Sequence, residues 1–367
     1  MNKIPADLSG KILIVGPDYK NHRGGIAALI ETYSTLFEDF KFLSTYKSFE
    51  NDFAKILYFI KQAIKIPHRL RIDKNIQIVH IHGSHSASLY RKFIVFLFAK
   101  RLFRKKVIYH IHSGSYDVVF QNSGAIPRWI IRTMVNQSDM IICLSNFWFR
   151  FFAENFKPNR LTVVNNVVNS SSSSIVLPRR PGSVTNFLFL GRVNDGKGIF
   201  DLLDILSSKA DFFVDRLKLY IGGDGEIERL ETYVRNNNLG AIVEYIGWVD
   251  AAKKEEYFLK SHIFILPSYI EGLPVSLLEA MSYGMPIIST NVGGIPEILE
   301  NGVNGFMISP GDKKAMEAAI LQFLNYPDKI AAFGKASLKK IEPYLPENVT
   351  RQLVNCYEAL LEPTPIS

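Results

Sequence analysis

Cysteine is nearly missing from this sequence: Cys143 and Cys356 are the only two in 367 residues. Two cysteines cannot build a disulfide scaffold or a thiolate zinc site, and the number fits a reducing compartment. Long apolar runs are missing too. No stretch reaches the ~18 uninterrupted apolar residues that a spanning helix needs, and residues 1–10 lack the apolar segment of a signal peptide. The expectation is a cytoplasmic protein, soluble or peripheral to a membrane. Several motifs are absent as well. Without a G-x-S-x-G elbow there is no sign of a Ser-His-Asp hydrolase, and without G-x-G-x-x-G after the first strand a nicotinamide cofactor is not expected. There is no Walker loop and no Asp-x-Asp, so neither of these phosphate or metal-diphosphate devices is at hand.

What is present is enough for a large core. Hydrophobic residues make up 47% and charged residues 21%, ordinary globular proportions that exclude global disorder. The length suits two domains. Charge is unevenly placed: residues 1–180 hold 26 Lys and Arg against 11 Asp and Glu, or +15, while the remainder holds 17 against 24, or −7. A basic half calls for an anionic partner, nucleic acid or an acidic membrane face, unless it is only a solvated lysine surface.

Short apolar runs at residues 11–16, 76–81, 107–111, 140–144 and 161–164 read as buried parallel strands. Segments of helical length lie between them, at 25–37, 53–66 and 88–103. Asn169, five serines and Pro178-Arg179-Arg180-Pro181-Gly182 then interrupt the pattern, a composition that cannot pack a core and reads as a linker. Alternation resumes with strands at 186–190, 217–221, 243–246, 263–266, 286–289 and 305–308. The fold class expected is α/β, two doubly wound domains over 1–175 and 176–347, with ligands in the cleft between them. Two basic amphipathic segments, 53–66 and 89–106, are the places to expect contact with anionic lipid; the alternative is a helix on a sheet with its lysines outward.

The richest stretch is residues 267–294. Glu271 and Glu279 stand eight apart, with Gly272-Leu273-Pro274 between a strand end and a helix beginning at Val275. Free amides and the positive dipole end at such a helix start form an anion site, with Glu279 one to two turns in. Upstream, Gly191-Arg192 follows a strand and Gly196-Lys197-Gly198 opens a helix, giving two cations suited to a diphosphate. In the first half, His22-Arg23-Gly24-Gly25 precedes a helix. His80, His82 and His85, then His110 and His112, form a histidine-rich set. Such a set can ligate metal, but alternate strand residues share a face, and buried or substrate-contacting histidines at strand ends are the preferred reading.

Together, Gly24-Gly25-Ile26, Gly191-Arg192 with Lys197-Gly198, Gly222-Gly223-Asp224-Gly225, Gly247, Glu271 through Ala280, and Gly293-Gly294-Ile295-Pro296-Glu297 resemble the GT-B-fold, family 4 retaining glycosyltransferases. They span nearly the whole chain in the family's order. The resemblance implies two Rossmann-like domains, the second binding a nucleotide-sugar donor, most simply a UDP-sugar, and the first a glycan or lipid-linked acceptor. It implies a final helix, over 348–361, that returns to the first domain, with the chain after it to 367. It assigns the donor diphosphate to Arg192 and Lys197 in place of a metal, so that no cofactor is needed. Ribose hydroxyls go to Glu279, and Glu271 sits beneath the transferred sugar with the Gly272, Leu273, Pro274 and Val275 backbone around it. Gly24 and Gly25 would cover the diphosphate from the other domain. A histidine contacts the donor sugar in the family; here His112 is preferred, nearer the strand end, with His110 as its rival. The residues 78–85 and 109–117 resemble bacterial members that build exopolysaccharide, capsule or lipopolysaccharide. An acceptor held in the membrane would agree with the +15 half and with peripheral attachment to the inner face of the cell membrane. Two other readings are a non-hydrolysing nucleotide-sugar epimerase, which shares the architecture, and a basic nucleic-acid-binding module. For the latter no aromatic-interleaved basic motif is evident, so nucleic acid is not expected as a partner.

Overall fold

The computed structural model describes residues 3–20, 24–49, 51–84, 87–169 and 184–362. The serines 170–174, the segment 178–182, and His22, Arg23 and His85 lie outside them. The chain divides into two compact units. One is Met1–Val168 with Pro343–Ser367, and the other is Asn169–Glu342.

The first unit is built on a six-stranded sheet of β1 (Ile12–Pro17), β2 (Lys41–Tyr46), β3 (Ile78–Gly83), β4 (Lys106–Ile111), β5 (Met140–Cys143) and β6 (Leu161–Val163), in the order β2-β1-β3-β4-β5-β6. Every pairing is parallel. The strands read as continuous apolar runs because both faces are covered. On one face Leu13, Val15, Val79, Ile81, Val107, Tyr109, Ile141 and Cys143 form a core with Ile66, Phe96 and Phe152. The alternate residues Ile12, Ile14, Ile78, Ile108 and Ile142 pack with Tyr33 and the terminal helix Pro346–Leu361. That helix buries Val349, Leu353, Tyr357 and Leu360, each apolar side chain contributing roughly 1.5–3 kcal/mol.

Three local features depart from the periodicity. β2 is an edge strand whose sequence, KFLSTY, is half polar, so it carries no apolar run. The helix expected over 53–66 runs from Asp52 to Ile72, with Pro67 inside it. The basic segment 89–106 is only partly a surface: Lys92 is buried, Lys100 pairs with Asp139 at 2.7 Å, and the Lys105 ammonium donates to the Ile76 carbonyl at 2.5 Å. Its helix, Ala87–Phe96, passes into a π-helical turn, Leu97–Leu102. Expecting its cations to face outward was therefore wrong for these three.

The second unit repeats the plan with β7 (Thr185–Leu190), β8 (Leu217–Gly222), β9 (Val243–Gly247), β10 (Ile263–Leu266), β11 (Ile287–Thr290) and β12 (Gly305–Ile308), ordered β12-β11-β10-β7-β8-β9. All pairings are again parallel. In such sheets the crevice beyond the carboxyl ends of the strands, where the strand order reverses, is the place for ligands.

Candidate active site

The carboxyl ends of β7 and β10 are neighbours in the second sheet, and their loops are tied together. Asn194 accepts a hydrogen bond from the Lys197 amide at 3.0 Å, capping the single 3-10 turn Asp195–Lys197. The turn is fixed from outside by Arg229, which donates to both carboxylate oxygens of Asp195 at 2.9 Å. Gly198 follows at φ +67°, and a Cβ there would stand 2.1 Å from the Pro267 carbonyl oxygen. Only glycine lets the two loops come this close.

That approach delivers Lys197 to Glu271. The ammonium donates to Glu271 Oε1 at 2.5 Å, and the buried Ser268 hydroxyl donates to the same oxygen at 2.8 Å. The Glu271 side chain is 9% exposed and that of Lys197 26%, so the carboxylate is held in place while the cation keeps a solvent-facing side. Behind Glu271, the Gly294 amide donates to the Gly272 carbonyl at 2.7 Å. Gly293, at φ +54°, leaves no room for a side chain against the Glu271 carbonyl.

Gly272, Leu273 and Pro274 are buried and lead into the helix Val275–Ser282, whose start has no side-chain cap. Uncapped first amides and the dipole favour an anion at that end. Glu279 lies in the second turn and accepts from the Lys254 ammonium at 2.7 Å, with both side chains about a quarter exposed. Lys254 comes from the helix Ala251–Lys260, capped by Asp250. It was missed in the sequence because one lysine in a run of surface charges carries no distinguishing pattern. Ser268 was missed likewise. Arg192 is exposed, and among the described residues it pairs with no carboxylate. The structure thus joins Lys197 to Glu271 and gives Glu279 a lysine of its own. Arg192 is left as the cation not already matched.

In the first unit, Gly24 (φ +140°) and Gly25 open the helix Gly25–Leu36, again without a side-chain cap. The histidines form a stack on the face shared with the terminal helix. His80 Nδ1 meets the Tyr357 hydroxyl at 2.8 Å and His80 Nε2 meets His110 Nδ1 at 3.2 Å. His82 Nδ1 meets His112 Nε2 at 2.9 Å, and the His110 and His112 rings lie 4.2 Å apart. Ligand atoms of His80, His82 and His110 fall within 4.8 Å of one another. His80, however, has both nitrogens engaged in hydrogen bonds, so it could ligate a metal only by giving one up. Burial, reinforced by neighbouring charges, lowers the pKa of all four, to about 3 for His80 and His112. They are neutral imidazoles near pH 7, suited to hydrogen bonding rather than to supplying a proton. His80, His82 and His110 are buried and only His112 keeps partial exposure.

Comparison with known proteins gives this arrangement its relatives. The pattern of the glycosyl transferases group 1 matches residues 179–340, and that of glycosyltransferase family 4 matches residues 36–172. An uncharacterized glycosyltransferase of Methanocaldococcus jannaschii is 26% identical over 360 residues, 93% of this chain and 96% of the relative. The amylovoran biosynthesis glycosyltransferase of Erwinia amylovora is 25% identical over 266 residues, 67% of this chain and 64% of the relative. Among solved structures, the Anabaena HepE protein in complex with UDP-glucose superposes with a TM-score of 0.73 at 16% identity, over 95% of this chain and 99% of that one. With two parallel α/β units and both family patterns in order along it, the chain belongs to the family 4 glycosyltransferases of GT-B fold.

Proposed function

We propose that this glycosyltransferase moves a sugar from a nucleotide-sugar, a UDP-sugar, to a glycan or lipid-linked acceptor in bacterial surface-polysaccharide synthesis. Transfer retains the anomeric configuration and needs no metal. The observation that carries the reading is the Lys197–Glu271 pair on the loops before the uncapped helix Val275–Ser282. The amylovoran enzyme supports the polysaccharide setting, and the UDP-glucose complex of HepE supports the donor class.

The chemistry follows from where charge develops. As the bond from the anomeric carbon to the phosphate oxygen breaks, negative charge gathers on the departing diphosphate. Preorganised cations and amides lower that barrier most. Lys197, oriented by buried Glu271, Arg192, and the first amides of the Val275 helix are the groups assigned to it. Glu279 accepts from the ribose hydroxyls, taking them in exchange for its contact with Lys254. His112, as a neutral imidazole, hydrogen-bonds the donor sugar. Peripheral attachment to an anionic membrane through the basic half places the enzyme beside a lipid-linked acceptor.

The test is a thermal-shift screen of UDP- and GDP-sugars followed by turnover with and without chelator. A ligand present at 100 times its dissociation constant adds about 2.7 kcal/mol of stability. Lys197→Ala and Arg192→Ala should each lower kcat roughly a hundredfold or more, the usual loss for a removed charge-stabilising donor. Chelator should leave turnover intact. Abolition by chelator, with both variants fully active, would overturn the donor-site assignment.

A further inference from the structure

The first unit has a pocket of ≈ 260 Å³, lined in part by Gly24 and Gly25, whose basic residues Arg91 and Lys92 the donor chemistry leaves unexplained. It lies beyond the carboxyl ends of β1, β2 and β3, where Pro17, Thr45 and His82 line it. In the order β2-β1-β3 the chain reverses direction across β1, so this is the switch point at which a doubly wound sheet opens a crevice.

Basic side chains and a helix start face it from three directions. Lys92 is 2% exposed, yet among the described residues it meets no carboxylate; its ammonium donates to the Thr45 hydroxyl, which in turn donates to the Gly16 carbonyl. Arg91, beside it, has a buried Nε with no hydrogen-bond partner, and its guanidinium lies 4.8 Å from the Tyr46 ring centroid. The uncapped helix start at Gly24 and Gly25 forms the third wall. Buried charges are normally paired, since taking a lone ammonium out of water is costly. Desolvation lowers the Lys92 pKa well below its usual value, and Arg91 adds to the effect. A buried lysine and an arginine with an unused donor, both opening onto one cavity, constitute a built oxyanion site with its counter-ion to be supplied.

We propose that this pocket holds a phosphoryl group carried by the acceptor. The Arg91 guanidinium, a helix end worth about half a charge, and a Lys92 amine that a bound anion would hold in its charged form match a phosphate or diphosphate better than a single carboxylate. The donor diphosphate has its own cations in the other unit, Arg192 and Lys197. The assignment to the acceptor rests on the glycosyltransferase reading above; the oxyanion site itself does not.

Calorimetric titration of the full chain, saturated with UDP, with inorganic pyrophosphate tests it. One pyrophosphate should bind beside UDP. Lys92→Met and Arg91→Gln should each weaken that binding at least tenfold, while the UDP affinity of both stays within twofold of wild type. If Lys92→Met does not fold, Arg91→Gln, on a partly exposed side chain, decides alone. Loss of pyrophosphate binding when UDP is added would return the pocket to the donor and overturn the proposal, as would unchanged binding in the variants. Tighter binding of glucuronate than of pyrophosphate would overturn the phosphoryl assignment. A protein that takes up pyrophosphate in this pocket but no UDP would refute the donor reading and leave the oxyanion site standing.

Discussion

At the scale of single residues, the two glutamates of the 271–279 segment differ in what they hold. Glu271 is buried and clamps Lys197 with help from Ser268, whereas Glu279 is half-buried and paired with a lysine from another helix. Glu271→Gln should therefore disturb the orientation of Lys197, the cation proposed to meet developing charge, and lower kcat more than affinity. Glu279→Gln would remove the charged acceptor proposed for the ribose hydroxyls, contacts worth about 1.5–3 kcal/mol, and should raise the UDP dissociation constant by roughly tenfold or more. Steady-state kinetics with UDP titration would separate the two; identical behaviour of both variants would contradict the division of roles. The histidine stack gives a second expectation. These imidazoles have folded pKa values below the unfolded value near 6.5, so between about 3 and 6.5 the unfolded chain binds more protons than the folded one. Their stabilising effect is complete above 6.5 and is lost as pH falls. Each contributes a slope of up to ~1.4 kcal/mol per pH unit within that window. Melting temperature should fall already between pH 6.5 and 5, before most carboxylates titrate. A flat profile there would mean that the rings are solvated.

At the scale of elements, the terminal helix Pro346–Leu361 is held to its unit by an apolar face and by polar contacts that include Tyr357 to His80 and Gln352 to the Asn165 amide. Tyr357→Phe keeps the packing and leaves His80 Nδ1 buried without a partner, which costs about 1–3 kcal/mol; chemical denaturation would measure it, and an unchanged midpoint would show that the bond contributes nothing. How much of this was legible in the sequence depends on what each element buries. Eleven strands are signalled by apolar runs because parallel strands are covered on both faces. β2 is not, because KFLSTY lies at an edge. The glycines and glutamates of residues 267–294 are legible because a strand, a tight turn and a helix start leave few residue choices. Lys92 is not: a buried lysine has the same letter as a surface one, and it was grouped with basic residues expected at a lipid surface. Its burial depends on β2, the strand with no signal, since Thr45 is what receives its ammonium.

At the scale of the whole molecule, the decisive property is the charge division of +15 over residues 1–180 and −7 over the rest. Among the described residues no helix is long and apolar enough to cross a membrane. The helix Asp52–Ile72, however, buries Gln62, Ile66 and Leu70 and turns Phe53, Ile56, Leu57, Ile60 and Ile64 outward, each about half exposed or more. At 3.6 residues per turn these five fall within about 100° of one another. Lys61 and Lys65, both exposed, flank them on one side. An apolar stripe edged by cations is the pattern of a helix lying in a lipid interface. A charged residue near an anionic surface contributes about 1 kcal/mol, so four or five support reversible attachment. Because that part is electrostatic it should weaken with salt, while the apolar stripe should not. Co-sedimentation with neutral and anionic vesicles, at low and high salt, can separate the parts. Wild type should prefer anionic vesicles at low salt; Lys61→Glu with Lys65→Glu should remove most of the preference, and Ile60→Asp with Ile64→Asp should weaken binding even where charge still attracts. Equal binding to neutral and anionic vesicles at low salt, or none to either, would show that the basic half serves some other partner.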